Sequence, residues 1–285
     1  MKTSPLISAE ALAALLRDKS SDVLVCDCTF DLGNPDTGAQ RYAEGHIPGA
    51  VYIHLDRVLG AVKTGTNGRH PLPSRETFAQ AMAALGASQD THIIAYDANG
   101  AMYAARLWWM ARWAGHDKVS VLDGGLQAWT GAGNPVSTDA PAARPAGDFA
   151  VRATLTRTVD YGQVLENTRT AQRVVVDARA ADRFRGENET IDPVGGHIPG
   201  ARNRFFKENL SASGRFKPAG QLRGEFEALL GGRSADRLIH QCGSGVTACH
   251  NLLAMEIAGL EGAALYPGSW SEWCAQPDAP VALGA

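Results

Sequence analysis

At 285 residues the chain has room for one large domain or two of ordinary size, each with a real core. Hydrophobic residues at 45% and charged residues at 20% exclude disorder, collagen, a coiled coil and a disulfide miniprotein. With 27 Lys and Arg against 30 Asp and Glu, and no long run of either sign, nothing builds the basic stripe of a nucleic-acid or anionic-membrane binder, so an anionic ligand requires a local site.

The N-terminal sequence Met1-Lys2-Thr3-Ser4-Pro5 leads into a helix that Ser8 is placed to cap, and it lacks the apolar core of a secretory signal. No apolar run is long enough to span a membrane; the greasiest, around Trp108 and Trp109, is broken by Arg106 and Arg112 and reads as core packing. Five cysteines (Cys26, Cys28, Cys242, Cys249, Cys274) without repeated spacing read as free thiols of a reducing compartment, so the expected location is cytoplasmic.

The elements in chain order reveal an internal repeat. The strand-like run Val23 to Asp27 is followed by His46-Ile47-Pro48-Gly49-Ala50, an amphipathic helix over 74–85, a strand ending at Asp97, a helix over 101–114 and the block Leu122 to Trp129. A Pro- and Ala-rich linker over 137–147 comes next. The series then returns: Val174 to Asp177, His197-Ile198-Pro199-Gly200-Ala201 word for word, a helix over 218–230, a strand ending at Cys242, a helix over 246–258 and Tyr266 to Trp273. Strands alternating with helices imply an α/β fold built twice, each half a mainly parallel sheet flanked by helices, with domains expected at 1–147 and 148–285.

In such sheets ligands bind beyond the carboxyl ends of strands, where a loop enters a helix. Cys242 stands there, at the head of Gly243-Ser244-Gly245-Val246-Thr247, and the glycines let backbone N–H groups gather around its sulfur. A cysteine so placed is a nucleophile, whereas Cys26, Cys28, Cys249 and Cys274 read as structural. The equivalent position in the first half is Asp97, which has no thiol. A phosphatase-type Cys-x5-Arg loop fails because Ala248 stands where the arginine belongs. His240, Cys242, Cys249 and His250 lack metal-ligand spacing, so no metal and no cofactor are expected.

The paired His-Ile-Pro-Gly-Ala blocks, Asp97 in the place of Cys242, and the Cys-Gly-Ser-Gly-Val-Thr loop together resemble the two-domain rhodanese-type sulfurtransferases, and the loop resembles their 3-mercaptopyruvate branch. The resemblance spans nearly the whole chain. It implies two rhodanese-like domains, the first inactive and the second carrying a Cys242 persulfide, with the loop residues Gly243, Gly245, Val246 and Thr247 receiving the donor. It also implies that Ser244 and His46 assist the cysteine, His46 facing the loop, with Asp36 a weaker candidate orienter, and that Arg183 grips the donor carboxylate. This family branch has a second arginine nine residues further on, where this chain has Asp192; Arg185 is the expected substitute. The neutral Gly243-Ser244 pair, in place of the basic pair of thiosulfate enzymes, favours a monoanionic keto acid. A thiol such as thioredoxin or a small thiol, or cyanide, is the expected acceptor. The competing readings are a thiosulfate sulfurtransferase and a non-catalytic tandem rhodanese module that carries sulfur or binds a partner.

Overall fold

Two five-stranded parallel sheets with the same strand order form the framework of the computed structural model, which describes residues 3–18 and 20–285. Met1 and Lys2, at the head of the N-terminal sequence, lie outside the described residues. The first half runs β1 (Leu6–Ile7), α1 (Ala9–Arg17), β2 (Val23–Asp27), α2 (Thr37–Glu44), β3 (Val51–Tyr52), α3 (Leu55–Val58), α4 (Arg75–Ala84), β4 (His92–Tyr96), α5 (Ala104–Trp113), β5 (Val119–Leu122) and α6 (Gly125–Gly131). The second runs β6 (Arg157–Thr158), α7 (Tyr161–Thr170), β7 (Val174–Asp177), α8 (Ala181–Arg185), β8 (Arg202–Asn203), α9 (Ala219–Leu230), β9 (Leu238–Gln241), α10 (Thr247–Ile257), β10 (Ala264–Leu265) and α11 (Ser269–Trp273). The sheets are ordered β1-β5-β4-β2-β3 and β6-β10-β9-β7-β8.

Strands β5, β7 and β9 are buried from end to end, and β2 and β4 at all but their first residue, as parallel strands covered on both faces are, so they read as mainly apolar runs. Ser8 accepts the Ala11 N–H and Ser74 accepts the Thr77 N–H, so α1 and α4 begin where the sequence offers a cap. Helix α5 starts three residues later than the apolar period suggests, because Ala101 is held at φ +65° and the Asp97 carboxylate takes the N–H groups leading into the helix.

Packing explains the repeated five-residue block. Ile47 and Ile198 are fully buried plugs of the two cores, beside Ile94 and Trp129 in one and Ile239 and Trp273 in the other. His46 stacks on Tyr42 at 3.9 Å and His197 on Phe184 at 3.8 Å, and each ring binds the carbonyl of its stacking partner through Nδ1. The terminal tryptophans repeat too: Trp129 donates to the carbonyl of Pro135, which precedes Val136, and Trp273 to that of Pro280, which precedes Val281.

The chain divides into two compact units that do not follow its halves strictly. One comprises Met1–Ala61, Pro73–Leu155 and Ala212–Arg215; the other Val62–Leu72, Thr156–Ser211 and Phe216–Ala285. The segment 62–72, from the first half of the sequence, thus belongs to the unit that contains Cys242. Among the described residues no helix is long and apolar enough to cross a membrane.

Candidate active site

The end of β9 delivers Cys242 into a loop that is fully buried from Cys242 to Thr247. The loop is fastened to the start of α11: the Cys242 N–H donates to Ser269 Oγ at 3.1 Å, and the Trp270 and Ser271 N–H groups donate to the carbonyls of Cys242 and Gly243. Gly245 turns at φ +76°, and a Cβ there would lie 2.3 Å from the Pro267 carbonyl oxygen, so only glycine fits. The chain then enters α10, with Val246 as its N-terminal flank and Thr247 as its first residue.

Cys242 is buried, and the Ser244 N–H donates to its sulfur at 3.5 Å. The matching loop of the other unit shows what such a turn is built to hold. There Asp97, fully buried, accepts the N–H groups of Asn99, Ala101, Tyr103 and Ala104 at 2.8–2.9 Å. Gly100 at φ +72° takes the place of Gly245. A turn that binds a carboxylate with four N–H groups in one unit carries the Cys242 sulfur in the other. Burial pushes the Cys26 and Cys28 thiols far up, and that of Cys274 to about 11, so these stay protonated at neutral pH. Cys249 turns its sulfur to the Gly245 carbonyl at 3.3 Å.

Around the loop runs a chain of alternating charges. Arg179, stacked over Trp270 at 4.6 Å, binds Asp177 at the end of β7 and reaches Glu189 at 3.3 Å. Arg183 binds Glu189 at 2.8 Å and Asp192 at 3.1 Å, and Arg69 binds the other oxygen of Asp192 at 2.5 Å. Burial raises the Glu189 carboxyl, but hydrogen bonds from Arg183 and from the Asp192 and Ile191 N–H groups outweigh it and hold the group below its ordinary range. Three guanidinium groups thus face three carboxylates. A Cβ on Gly243 would lie 2.9 Å from Arg69 Nη2 and 3.7 and 3.8 Å from the Nη atoms of Arg183, so two cations flank the residue that follows Cys242.

The structure brings together Cys242, Gly243, Ser244, Gly245, Val246, Thr247 and Arg183, all in one unit. Arg185 stands apart: two positions along α8 from Arg183, it turns to the opposite side and pairs with Glu187 at 2.7 Å in a solvent-facing contact. His46 has its ring nitrogens on the Tyr42 and Asp139 carbonyls, and the exposed Asp36 heads α2. The histidine that meets the loop is His70, whose Nδ1 lies 2.7 Å from Ser244 Oγ. Sequence reasoning missed His70 and Arg69, which lie in a glycine-punctuated stretch with no period. The available signal was Asp192, a carboxylate where the family branch has a cation, which demanded a basic partner elsewhere. Segment 62–72 is anchored by Arg69 N–H to Ser271 Oγ at 2.9 Å and by Gln276 to the Thr66 carbonyl at 3.2 Å. Among the described residues no group of three or more His, Cys, Asp or Glu side chains is gathered as a metal site.

The chain is similar in sequence and fold to known proteins. The family model described as rhodanese-like domain matches twice, at residues 8–132 and 160–276. A Pseudomonas aeruginosa protein named "probable 3-mercaptopyruvate sulfurtransferase" is 46% identical over 100% of both chains. The thiosulfate sulfurtransferase of Cricetulus griseus is 37% identical over 98% of this chain and 95% of its own. Among solved structures, the 3-mercaptopyruvate sulfotransferase SseA of Escherichia coli superimposes with a TM-score of 0.80 at 34% identity, covering 94% of this chain and 99% of that one.

Proposed function

We propose, from the premise that this chain belongs to the rhodanese-like domain family in two tandem copies, that it is a sulfurtransferase taking sulfur from 3-mercaptopyruvate. The observation that carries the reading is the Cys242 sulfur beneath a glycine loop, with the guanidinium groups of Arg69 and Arg183 beside Gly243. A thiolate and a carboxylate grip next to one another suit a donor that carries its sulfur two carbons from a carboxylate.

In the first half-reaction the Cys242 thiolate attacks the donor sulfur, forming an S–S bond as the C–S bond breaks. The electron pair of that bond passes to the donor carbon as the enolate of pyruvate, and the thiol proton of the donor ends on this carbon, leaving pyruvate and a Cys242 persulfide anion. Ser244, whose hydroxyl is held by His70, is the group placed to hand that proton across. In the second half-reaction cyanide or a thiol takes the outer sulfur: with cyanide, thiocyanate leaves and the Cys242 thiolate is restored. A thiolate acceptor, a small thiol or one of a thioredoxin, leaves instead as its own persulfide. The five cysteines are all free, which suits a cytoplasmic enzyme working among thiols. The first unit, with a carboxylate at the position of the sulfur, serves no transfer of its own.

Steady-state kinetics with both donors test the reading. The expected result is a ping-pong pattern, a higher kcat/KM for 3-mercaptopyruvate than for thiosulfate, and added mass on Cys242 after donor treatment. A preference for thiosulfate selects the activity named for the hamster relative instead. Unchanged turnover in Cys242→Ser reduces the chain to a carrier or interaction module.

A further inference from the structure

The carboxylate grip has one arginine on each of two distant segments, and its geometry is unusual in what holds it. Asp192, only 3% exposed, sends one oxygen to Arg69 Nη1 and the other to Arg183 Nη2, while the two arginine side chains remain 22% and 18% exposed. The carboxylates therefore lie underneath and the cations on top. Glu189 takes Arg183 through Nε and Nη2, and Nη1, which neither carboxylate takes, lies 3.8 Å from where a Cβ on Gly243 would stand. Asp192 takes Arg69 through Nη1, which leaves Nη2 toward Gly243, and Arg69 Nε is buried without a partner. An arginine used only to neutralise Asp192 would spend its best fork on that carboxylate; this one spends a single N–H and aims the rest past it.

We infer that Arg69 is a donor-binding residue, its Nη2 and the Nη1 of Arg183 bridging the carboxylate of the α-keto acid above Gly243, with Asp192 as the strut that spaces them. The inference rests on the keto-acid reading and adds the residue that supplies the second guanidinium. Cation and anion have changed places: the position nine residues after Arg183 carries the carboxylate, and the segment around His70 carries the guanidinium. Gly243 is then required to be side-chain-free, because a Cβ there fills the space the donor carboxylate enters.

Loss of Arg69 also strands Asp192, so the deciding variant is Arg69→Gln/Asp192→Asn, which removes both charges together and leaves neither stranded. Its KM for 3-mercaptopyruvate is expected to rise about tenfold or more with kcat within about threefold, the pattern of lost uniform binding, since a charge-assisted hydrogen bond is worth about a factor of ten or more. Asp192→Asn alone loosens the strut but spares both guanidinium groups, so its KM is expected to rise by clearly less than that of the double variant. A parent-like KM in the double variant overturns the inference and makes Arg69 a mere counter-ion of Asp192. Arg183→Gln separates the two levels: a raised KM there beside an unaffected double variant refutes Arg69 alone, whereas no effect from either removes the keto-acid reading with it.

Discussion

The Ser244 hydroxyl lies 2.7 Å from Nδ1 of His70, a residue 174 positions earlier that nonetheless belongs to the same compact unit. Because the Ser244 N–H also touches the Cys242 sulfur, one residue meets both that sulfur and the His70 ring. If His70 acts through Ser244, the two form one device, and removing either should cost about as much as removing both. His70→Gln and Ser244→Ala are each expected to lower kcat by about 10–100-fold, with the double variant no worse than about threefold below the weaker single. Additive losses in a double-mutant cycle of kcat would separate the two side chains.

His46 and His197 are expected to behave alike, as stability residues. Each stacks on an aromatic ring and binds its carbonyl, and each follows the same sequence into a buried isoleucine. Replacement by alanine removes the stack and leaves a buried carbonyl without its donor, at a cost of about 1–3 kcal/mol. Urea unfolding followed by far-UV circular dichroism should show similar losses for both, with kcat of His46→Ala close to the parent. A large kcat defect with normal stability would return His46 to the reaction.

Much of the fold was legible because the repeat is written in its most constrained residues. The two histidine blocks, the strand-end acids Asp27 and Asp177, and the tryptophan–proline closures each perform one structural task twice, and identical tasks preserve identical words. The Cys242 loop was equally open, since a glycine at φ +76° against a carbonyl tolerates nothing else. Arg69 and His70 were hidden for a topological reason: segment 62–72 leaves its own half to pack beside α11, and no periodicity encodes such a crossing. Arg185 is the nearest arginine along the chain, but residues two apart on a helix point to opposite sides, and its partner is Glu187.

Gly245→Ala separates backbone strain from a steric clash. Gly245 and Gly200 have nearly the same φ, +76° and +77°, but a Cβ at 200 meets nothing within 4 Å whereas one at 245 lies 2.3 Å from the Pro267 carbonyl oxygen. Gly200→Ala should therefore cost only the left-handed penalty, about 1–2 kcal/mol. Gly245→Ala should cost more, and because the loop must move to relieve it, kcat should fall by about 100-fold or more. Equal stability losses with normal turnover would mean that the loop yields without disturbing Cys242.

The acid limb of stability should depend on Glu225 in α9. Burial raises this carboxyl, but hydrogen bonds from Arg204, Lys217 and Gln221 outweigh it and hold the group at about 2 against an ordinary 4.5. A depressed acid binds fewer protons folded than unfolded, so its stabilisation is fully present above pH 4.5 and is lost as pH falls toward 2. Glu225→Gln cannot titrate there. It should be less stable than the parent at pH 7, and the gap should narrow steadily between pH 4.5 and 2 as the parent loses what the variant never had. The stake extends beyond one surface acid, because Arg204 also binds Asn209, which donates to His250 and Asn251 of α10, the helix that Cys242 and its loop lead into. Thermal unfolding midpoints of both proteins across that pH range measure the gap. A constant gap would show that the three donors bind Glu225 no better charged than neutral.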